Sequence, residues 1–322
     1  MISYHFNNTE SINRYLIEIE GLKLSWESVK VLPQIEEKIL RQSILRSAVF
    51  SARIEGNPLM VSNIDRFDDK EIHKIEINNL LSAYHKLNIN QPVSNLSIAY
   101  IKNLHQEVMR GISLMAGKFR QEPWAVYDGS GKVIHLAPFF GEVPRLMEEY
   151  IGYLKESEAH PVILAAIGQF ILEKIHPFAD GNGRVGRLIS ATILKQGGYD
   201  FKGLLAVEEY TDEHREAYYY ALEPSADMTE FIEYFLNSMI VSGKKILPKL
   251  MQTPVSTPGL SARREEILET IADHPICSFD FLSRRFAGVN PKTLHYDLRQ
   301  MLKMGLIVKM GATRGVVYKI NE

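Results

Sequence analysis

Pro161–Ile175 constrains the fold more than any other stretch of the chain. Val162, Ile163, Leu164, Ala165, Ala166, Ile167, Phe170, Ile171 and Leu172 place apolar side chains on nearly every face of a helical wheel. A helix apolar all round has no face to offer water, so it is stable only when enclosed. Pro161 suits its first turn, where no backbone N–H is needed. A membrane would also enclose it, but Gly168 and Gln169 interrupt the run, which falls far short of the ~20 residues a span requires. The rest of the chain must therefore build a protein shell around a central helix.

Helical periodicity supplies that shell. Ile35–Glu55 aligns Leu40, Ile44, Ala48 and Ala52 in one stripe, with Leu45 and Val49 beside it, and Gly56-Asn57-Pro58 stops the helix, leaving Glu55 as its last residue. Further helices are expected over about 69–87, 95–109, 143–157, 184–196, 211–222 and 228–247. Trp124–Tyr127 and Val133–Leu136, flanking Asp128-Gly129-Ser130-Gly131, read as a β-hairpin. The pattern changes after Met251–Gly259, a Pro- and Thr-containing stretch that reads as a linker. Three short helices (263–272, 279–286, 291–304) and two strands (306–309, 315–320) follow, the arrangement of a winged helix.

Composition narrows the class. The 322 residues are enough for about two or three domains. A chain 45% hydrophobic and 24% charged excludes long disorder. One cysteine, Cys277, excludes a disulfide framework and a cysteine-rich zinc module, and fits a reducing cytoplasm. MISYHFNNTE lacks the basic lead and apolar core of a signal peptide. A cytoplasmic protein with no membrane partner is expected. The formal charge of −2 hides a division: residues 259–322 carry ten Lys and Arg against seven Asp and Glu, so that end is +3 and the remainder −5.

The chemistry is expected in Ile175–Arg187, just after the central helix. Gly181 and Gly183 let the backbone approach a ligand closely and adopt positive φ. Their amides feed the start of the next helix, where unpaired N–H groups favour an anion, phosphate above all. Arg184 and Arg187, three apart, lie near one face of its first turn and suit bidentate phosphate contact. Asp180 alone would pass as a helix cap. Beside an anion cradle it suits a hard cation such as Mg²⁺, shared with phosphate oxygens. His176 can act as a base near neutral pH. These are the parts needed for phosphoryl or nucleotidyl transfer.

The segment resembles the Fic family signature, H-x-F-x-[D/E]-G-N-G-R-x-x-R. His176, Phe178, Asp180, Gly181, Asn182, Gly183, Arg184 and Arg187 meet every specified position. At ~5% per residue type, a chance match has probability on the order of 10⁻⁸. The resemblance extends through Lys118–Leu136 and Tyr210–Leu222 and covers roughly residues 30–240. It implies a mainly α fold: a Fic-type helical bundle with a β-hairpin flap, followed by a winged helix-turn-helix domain. The implied divisions are an N-terminal helical region (1–94), a catalytic core (95–248), a linker (249–260) and a winged helix (261–322). The implied activity is protein adenylyl transfer: AMP moves from ATP to a Ser, Thr or Tyr hydroxyl of a target protein. In that reading His176 is the general base and Asp180 holds Mg²⁺. Gly181, Asn182 and Gly183 line the α- and β-phosphate pocket, Asn182 near the α-phosphate. Arg184 holds the β/γ-phosphates, Arg187 reaches the γ-phosphate, and Phe178 anchors the loop in the core. Tyr219 matches a position that stacks on adenine. The hairpin, residues 124–136, matches the flap that docks an extended target segment by main-chain pairing. An asparagine that some relatives carry further on is replaced by Pro224-Ser225-Ala226.

Ser51-Ala-Arg-Ile-Glu55-Gly56 resembles the family's inhibitory motif, [S/T]-x-x-x-E-[G/N]. A carboxylate at a helix C-terminus opposes the helix dipole by ~0.3–1 kcal/mol, so it calls for a partner. The resemblance implies that Glu55 pairs with Arg187 and blocks the γ-phosphate site. It leaves open the reverse reaction, AMP removal, and a homodimer. A nucleotide-sensing, DNA-binding regulator is a further alternative. Within the C-terminal module, Lys292, Thr293, His295, Tyr296 and Arg299 would form the outer face of a recognition helix and Arg314 would sit in the wing. DNA contact and protein docking both fit such a face. His105 and His135 lack companions at ligand spacing and read as structural, and Cys277 reads as a small buried filler.

Overall fold

A computed structural model describes residues 4–29, 31, 33–64, 71–89, 96–127, 133–223, 226–250, 260–274, 277–286, 288–311 and 316–321. The hairpin turn, Pro224 and Ser225, the linker at 251–259 and Arg314 fall outside the described residues.

The chain opens with helix α1, Glu10–Ser28, capped by the Thr9 side chain. It lies within the region expected to be helical, and its buried stripe is Ile12, Ile19, Leu22 and Trp26. Next come α2 (Pro33–Ile54), α3 (Ile72–Ile89) and α4 (Ile98–Val108). The hairpin strands are β1 (Ala125–Tyr127) and β2 (Val133–Leu136), antiparallel, with Ala125 opposite Leu136 and Tyr127 opposite Val133. Then α5 (Val143–Glu156), α6 (Pro161–Ile175), α7 (Asn182–Gly197), α8 (Val207–Glu213), α9 (Arg215–Leu222) and α10 (Thr229–Leu250) complete the body.

As its sequence demands, α6 is enclosed. It packs most extensively against α7, and also against α5 and α10. Gly168 permits the close crossing with α7, since a Cβ there would meet the Ile193 side chain at 2.8 Å. Around α6 runs one apolar core that includes Phe170, Phe231, Leu236 and Met239. A second core lies between α2, α3 and α7, where Val49, Ala52, Ile77 and Leu80 meet Leu188. Helix α2 is therefore rooted in its own packed cluster.

Two expected boundaries change. The single helix over 211–222 is two, broken at His214 (φ −125°, ψ 42°), whose ring stacks on Tyr210. Helix α2 ends at Ile54, so Glu55 is not its last residue but begins the turn that Gly56 completes at φ +97°.

The C-terminal part comprises α11 (Ala262–Asp273), β3 (Cys277–Ser278), α12 (Phe279–Arg285), α13 (Pro291–Lys303), β4 (Ile307–Met310) and β5 (Val317–Ile320). The short β3 is an addition to the expected pattern and joins a sheet of order β3-β5-β4. Its two residues are too few to show alternation in sequence. Ile267, Phe281, Leu282, Phe286, Leu298 and buried Cys277 form a separate core. This part touches the body at α2: Arg41 pairs with Glu266 and lies 5.0 Å from the Phe286 ring centre, and Lys38 pairs with Glu269. Among the described residues, no helix is long and apolar enough to cross a membrane.

Candidate active site

The loop between α6 and α7 is held by its own residues. Phe178 is fully buried and stacks on His105, with ring centres 3.8 Å apart. Burying a phenylalanine contributes about 1.5–3 kcal/mol, enough to fix the loop's depth. Asn182 closes the turn by accepting from the Phe178 N–H and donating to the Phe178 carbonyl, both at 2.9 Å. Its side chain is thus spent within the loop, and what it offers an anion is its backbone amide. The Nδ1 of His105 accepts from the Gly117 N–H at 2.8 Å, and its Nε2 bonds the Asp180 carbonyl at 2.9 Å. Burial lowers its pKa to about 4, so it supports the loop as a neutral ring. The structural role expected of His105 holds, while the His135 side chain is outside the described residues.

His176 caps α6 in the left-handed region, φ 49°. Its carbonyl accepts from Arg120 Nε at 2.7 Å. The same guanidinium donates to the Glu122 carbonyl at 2.9 Å and to the Pro138 carbonyl, which flank the hairpin. Trp124, just before β1, stacks on the His176 imidazole with ring centres 3.3 Å apart. Arg120 and Trp124 therefore tie the flap to the residue expected to act as base. Nothing in sequence joined them to it.

Across the cleft, α7 starts at Gly181, which needs φ +84° and has no room for a side chain against Met109. The first intrahelical bond is Val185 N–H to the Gly181 carbonyl, so the amides of Asn182, Gly183 and Arg184 precede the helical ladder. Asp180 Oδ1 accepts from the Gly181 amide at 2.6 Å and from Arg184 Nη2 at 2.5 Å. Among the described residues, no group of three or more His, Cys, Asp or Glu is placed to hold a metal ion. An exposed single carboxylate does match Mg²⁺, which takes one or two carboxylates and fills its shell with phosphate oxygens and water.

Arg187 is buried and gripped from α2. Nε donates to Ser51 Oγ at 2.9 Å, and Nη2 donates to the Ser51 carbonyl and to Glu55 Oε1, each at 2.8 Å. Burial works against the charge of Arg187, but the Glu55 carboxylate outweighs it and raises the pKa. The close approach expected at Gly183 is made here by Glu55: a Cβ on Gly183 would lie 2.2 Å from Glu55 Oε1. Ser51 and Glu55, four residues apart in sequence, thus both hold Arg187.

Glu173 shares the enclosed helix α6 with two other polar side chains, Gln169 and Lys174. Burial first, and then the nearby Glu55 carboxylate, raise its pKa to about 8, against opposing pulls from Arg187, Lys174 and Arg184. The folded protein therefore keeps the proton that the unfolded chain releases near pH 4.5, and stability falls as pH rises from there toward about 8. The expected result is that Glu173→Gln melts increasingly above wild type between pH 5 and pH 8, with the gap then constant. Parallel melting curves across that range would refute the buried proton.

Glu55, Trp124, Glu173, His176, Asp180, Gly181, Asn182, Gly183 and Tyr219 line one cleft of about 450 Å³, a size that admits a nucleotide. Tyr219 is 48% exposed, and its hydroxyl donates to the Ile54 carbonyl at 3.0 Å, so it stands at the cleft wall that Glu55 shares. Arg184 and Arg187 are both buried and do not line this cleft; Asp180 and, from α3, Glu76 hold Arg184.

Residues 95–194 match the Fic/DOC family. Among curated proteins, the protein adenylyltransferase Fic of Drosophila erecta is 30% identical over 173 residues, covering 49% of this chain and 34% of that protein. The corresponding protein of Aedes aegypti is 28% identical over 210 residues, covering 60% of this chain and 40% of that one. The chain thus spans about a third to two-fifths of the length of these relatives. Among solved structures, a Fic family protein from Desulfovibrio desulfuricans aligns over 98% of this chain and 97% of its own at TM-score 0.68 and 22% identity. Fic-1 from C. elegans aligns over 74% and 72% at TM-score 0.61 and 20% identity. These likenesses agree in fold with a mainly helical body.

Proposed function

We propose that the chain, which matches the Fic/DOC family over residues 95–194, is a protein adenylyltransferase restrained by Glu55. The observation that carries this reading is the cleft itself. It sets His176, beside the flap, and the open amides at the start of α7 around one space. ATP is the nucleotide, with its phosphates against the amides of Asn182, Gly183 and Arg184. Arg184 binds the β/γ-phosphates and Arg187, once released, the γ-phosphate. Asp180 would hold Mg²⁺, which would supply charge neutralisation at the phosphate oxygens. Tyr219 stands where it can meet the base. A target segment pairs along the hairpin and brings a hydroxyl to His176. His176 takes the hydroxyl proton as the oxygen bonds to the α-phosphorus and the bond to pyrophosphate breaks. The grip of Ser51 and Glu55 on Arg187 supports the restraint. A carboxylate already inside the cleft also supports the reverse direction, with Glu55 orienting a water that removes AMP from a target. The test is incubation of wild type and Glu55→Gly with labelled ATP and lysate, read by mass spectrometry. Absence of AMP on any hydroxyl in both proteins counts against transfer.

We read residues 261–322 as a winged helix that contacts DNA through α13. Its exposed stripe is Lys292, His295, Tyr296, Arg299 and Lys303. Its one carboxylate, Asp297, is buried between Arg263 and Arg264, at 2.6 and 2.9 Å. Such a face meets phosphate without an opposing charge. The expected result is duplex binding that weakens steeply with salt and is lost in Lys292→Ala/Arg299→Ala. Salt-insensitive or absent binding would leave protein docking as the role of this face.

A further inference from the structure

Arg184 is held from outside the signature by one residue, Glu76, which a second, Asn57, braces. Its Nη1 donates to Glu76 Oε1 at 2.5 Å. The other oxygen, Oε2, accepts from Asn57 Nδ2 at 2.8 Å. Asn57 is fixed in turn: its amide also donates to the His73 carbonyl at 2.9 Å, and its oxygen accepts from the Leu59 N–H at 3.0 Å. Arg184, Glu76 and Asn57 are all buried. A buried ion pair gains little stability over a well-packed apolar pair, because both charges must shed water. Packing alone does not account for it.

The guanidinium explains the arrangement. Glu76 occupies Nη1 at one corner. That leaves the opposite edge, Nε and Nη2, whose two N–H bonds run parallel and match two oxygens of one phosphate. Nε is buried and has no hydrogen-bond partner among the described residues. Nη2 is on Asp180, which the proposed function assigns to Mg²⁺. We propose that Glu76, braced by Asn57, is a positioning residue that orients Arg184 so that its Nε–Nη2 edge faces the β- and γ-phosphates of a nucleoside triphosphate. The inference rests on the reading of the cleft as an ATP site.

The experiment is calorimetric titration with ATP and magnesium chloride, and separately with AMP, in a Glu55→Gly parent. Adding Glu76→Gln, which keeps the shape but removes the charge, is expected to weaken ATP about tenfold, equivalent to about 1.4 kcal/mol. AMP, which has neither a β- nor a γ-phosphate, is expected to bind unchanged. A merely structural role would weaken both alike, and that result overturns the inference, as does unchanged ATP affinity. Asn57→Ser, which releases one Glu76 oxygen, is expected to weaken ATP by about threefold with the same selectivity. It decides the matter if Glu76→Gln does not fold. A parent that binds neither ligand defeats the nucleotide reading itself, and the inference with it. A parent that binds ATP, with a variant that binds it equally, defeats only the inference.

Discussion

Glu55→Gly is expected to raise AMP transfer by about 10- to 100-fold, an effect worth roughly 1.4–2.7 kcal/mol. In the wild type Arg187 is buried with Glu55 on one amine and Ser51 on another nitrogen and the same amine. Removing Glu55, the more exposed partner, leaves the buried Arg187 guanidinium less compensated, which destabilises the fold. A γ-phosphate restores that compensation, and the space vacated above Gly183 admits it. The variant should therefore melt lower than wild type without nucleotide and gain more from ATP, since a ligand that binds only the folded state stabilises it by mass action. Radiolabel incorporation into target or into the chain itself measures the first effect, and melting with and without ATP the second. Equal labelling by both proteins would dismiss the brake. If the protein instead removes AMP, the same substitution should abolish that removal.

His176→Ala in the Glu55→Gly background should lower transfer by about 10²–10⁴, the usual worth of a positioned general base. Nucleotide affinity should change little, because the groups that meet the phosphates lie on α7 and not at the end of α6. A fall in rate at unchanged ATP affinity identifies an interaction made only in the transition state. Labelling that persisted at the parent's rate would remove His176 from the chemistry. It would favour the alternative in which the domain only senses nucleotide.

Much of the site was legible because it is local. His176 through Arg187 are twelve consecutive residues, and the turn they make is set by Gly181's positive φ, Phe178's burial and Asn182's bonds to Phe178. Spacing put Ser51 and Glu55 about one turn apart, and the resemblance to the inhibitory motif implied the pairing of Glu55 with Arg187 that the structure shows. The enclosed α6 was legible for a similar reason: a helix without a polar face has one fate in water. The break at His214 was not, since Tyr210 and His214 keep a helical spacing while their rings stack.

By itself the sequence determined a central buried helix, a helical shell and a glycine-opened turn into α7. Each follows from side chains within a few turns of one another, where spacing fixes geometry. Only the tertiary structure decided what holds those parts in place. Arg120 reaches the His176 carbonyl across 56 residues of chain, and Glu76 reaches Arg184 across 108. Trp124 covers the imidazole, and Glu173 keeps a buried proton beside Glu55. No periodicity links such pairs, because their contact depends on how whole helices pack, and one buried charge finds its partner only after folding has excluded water from both.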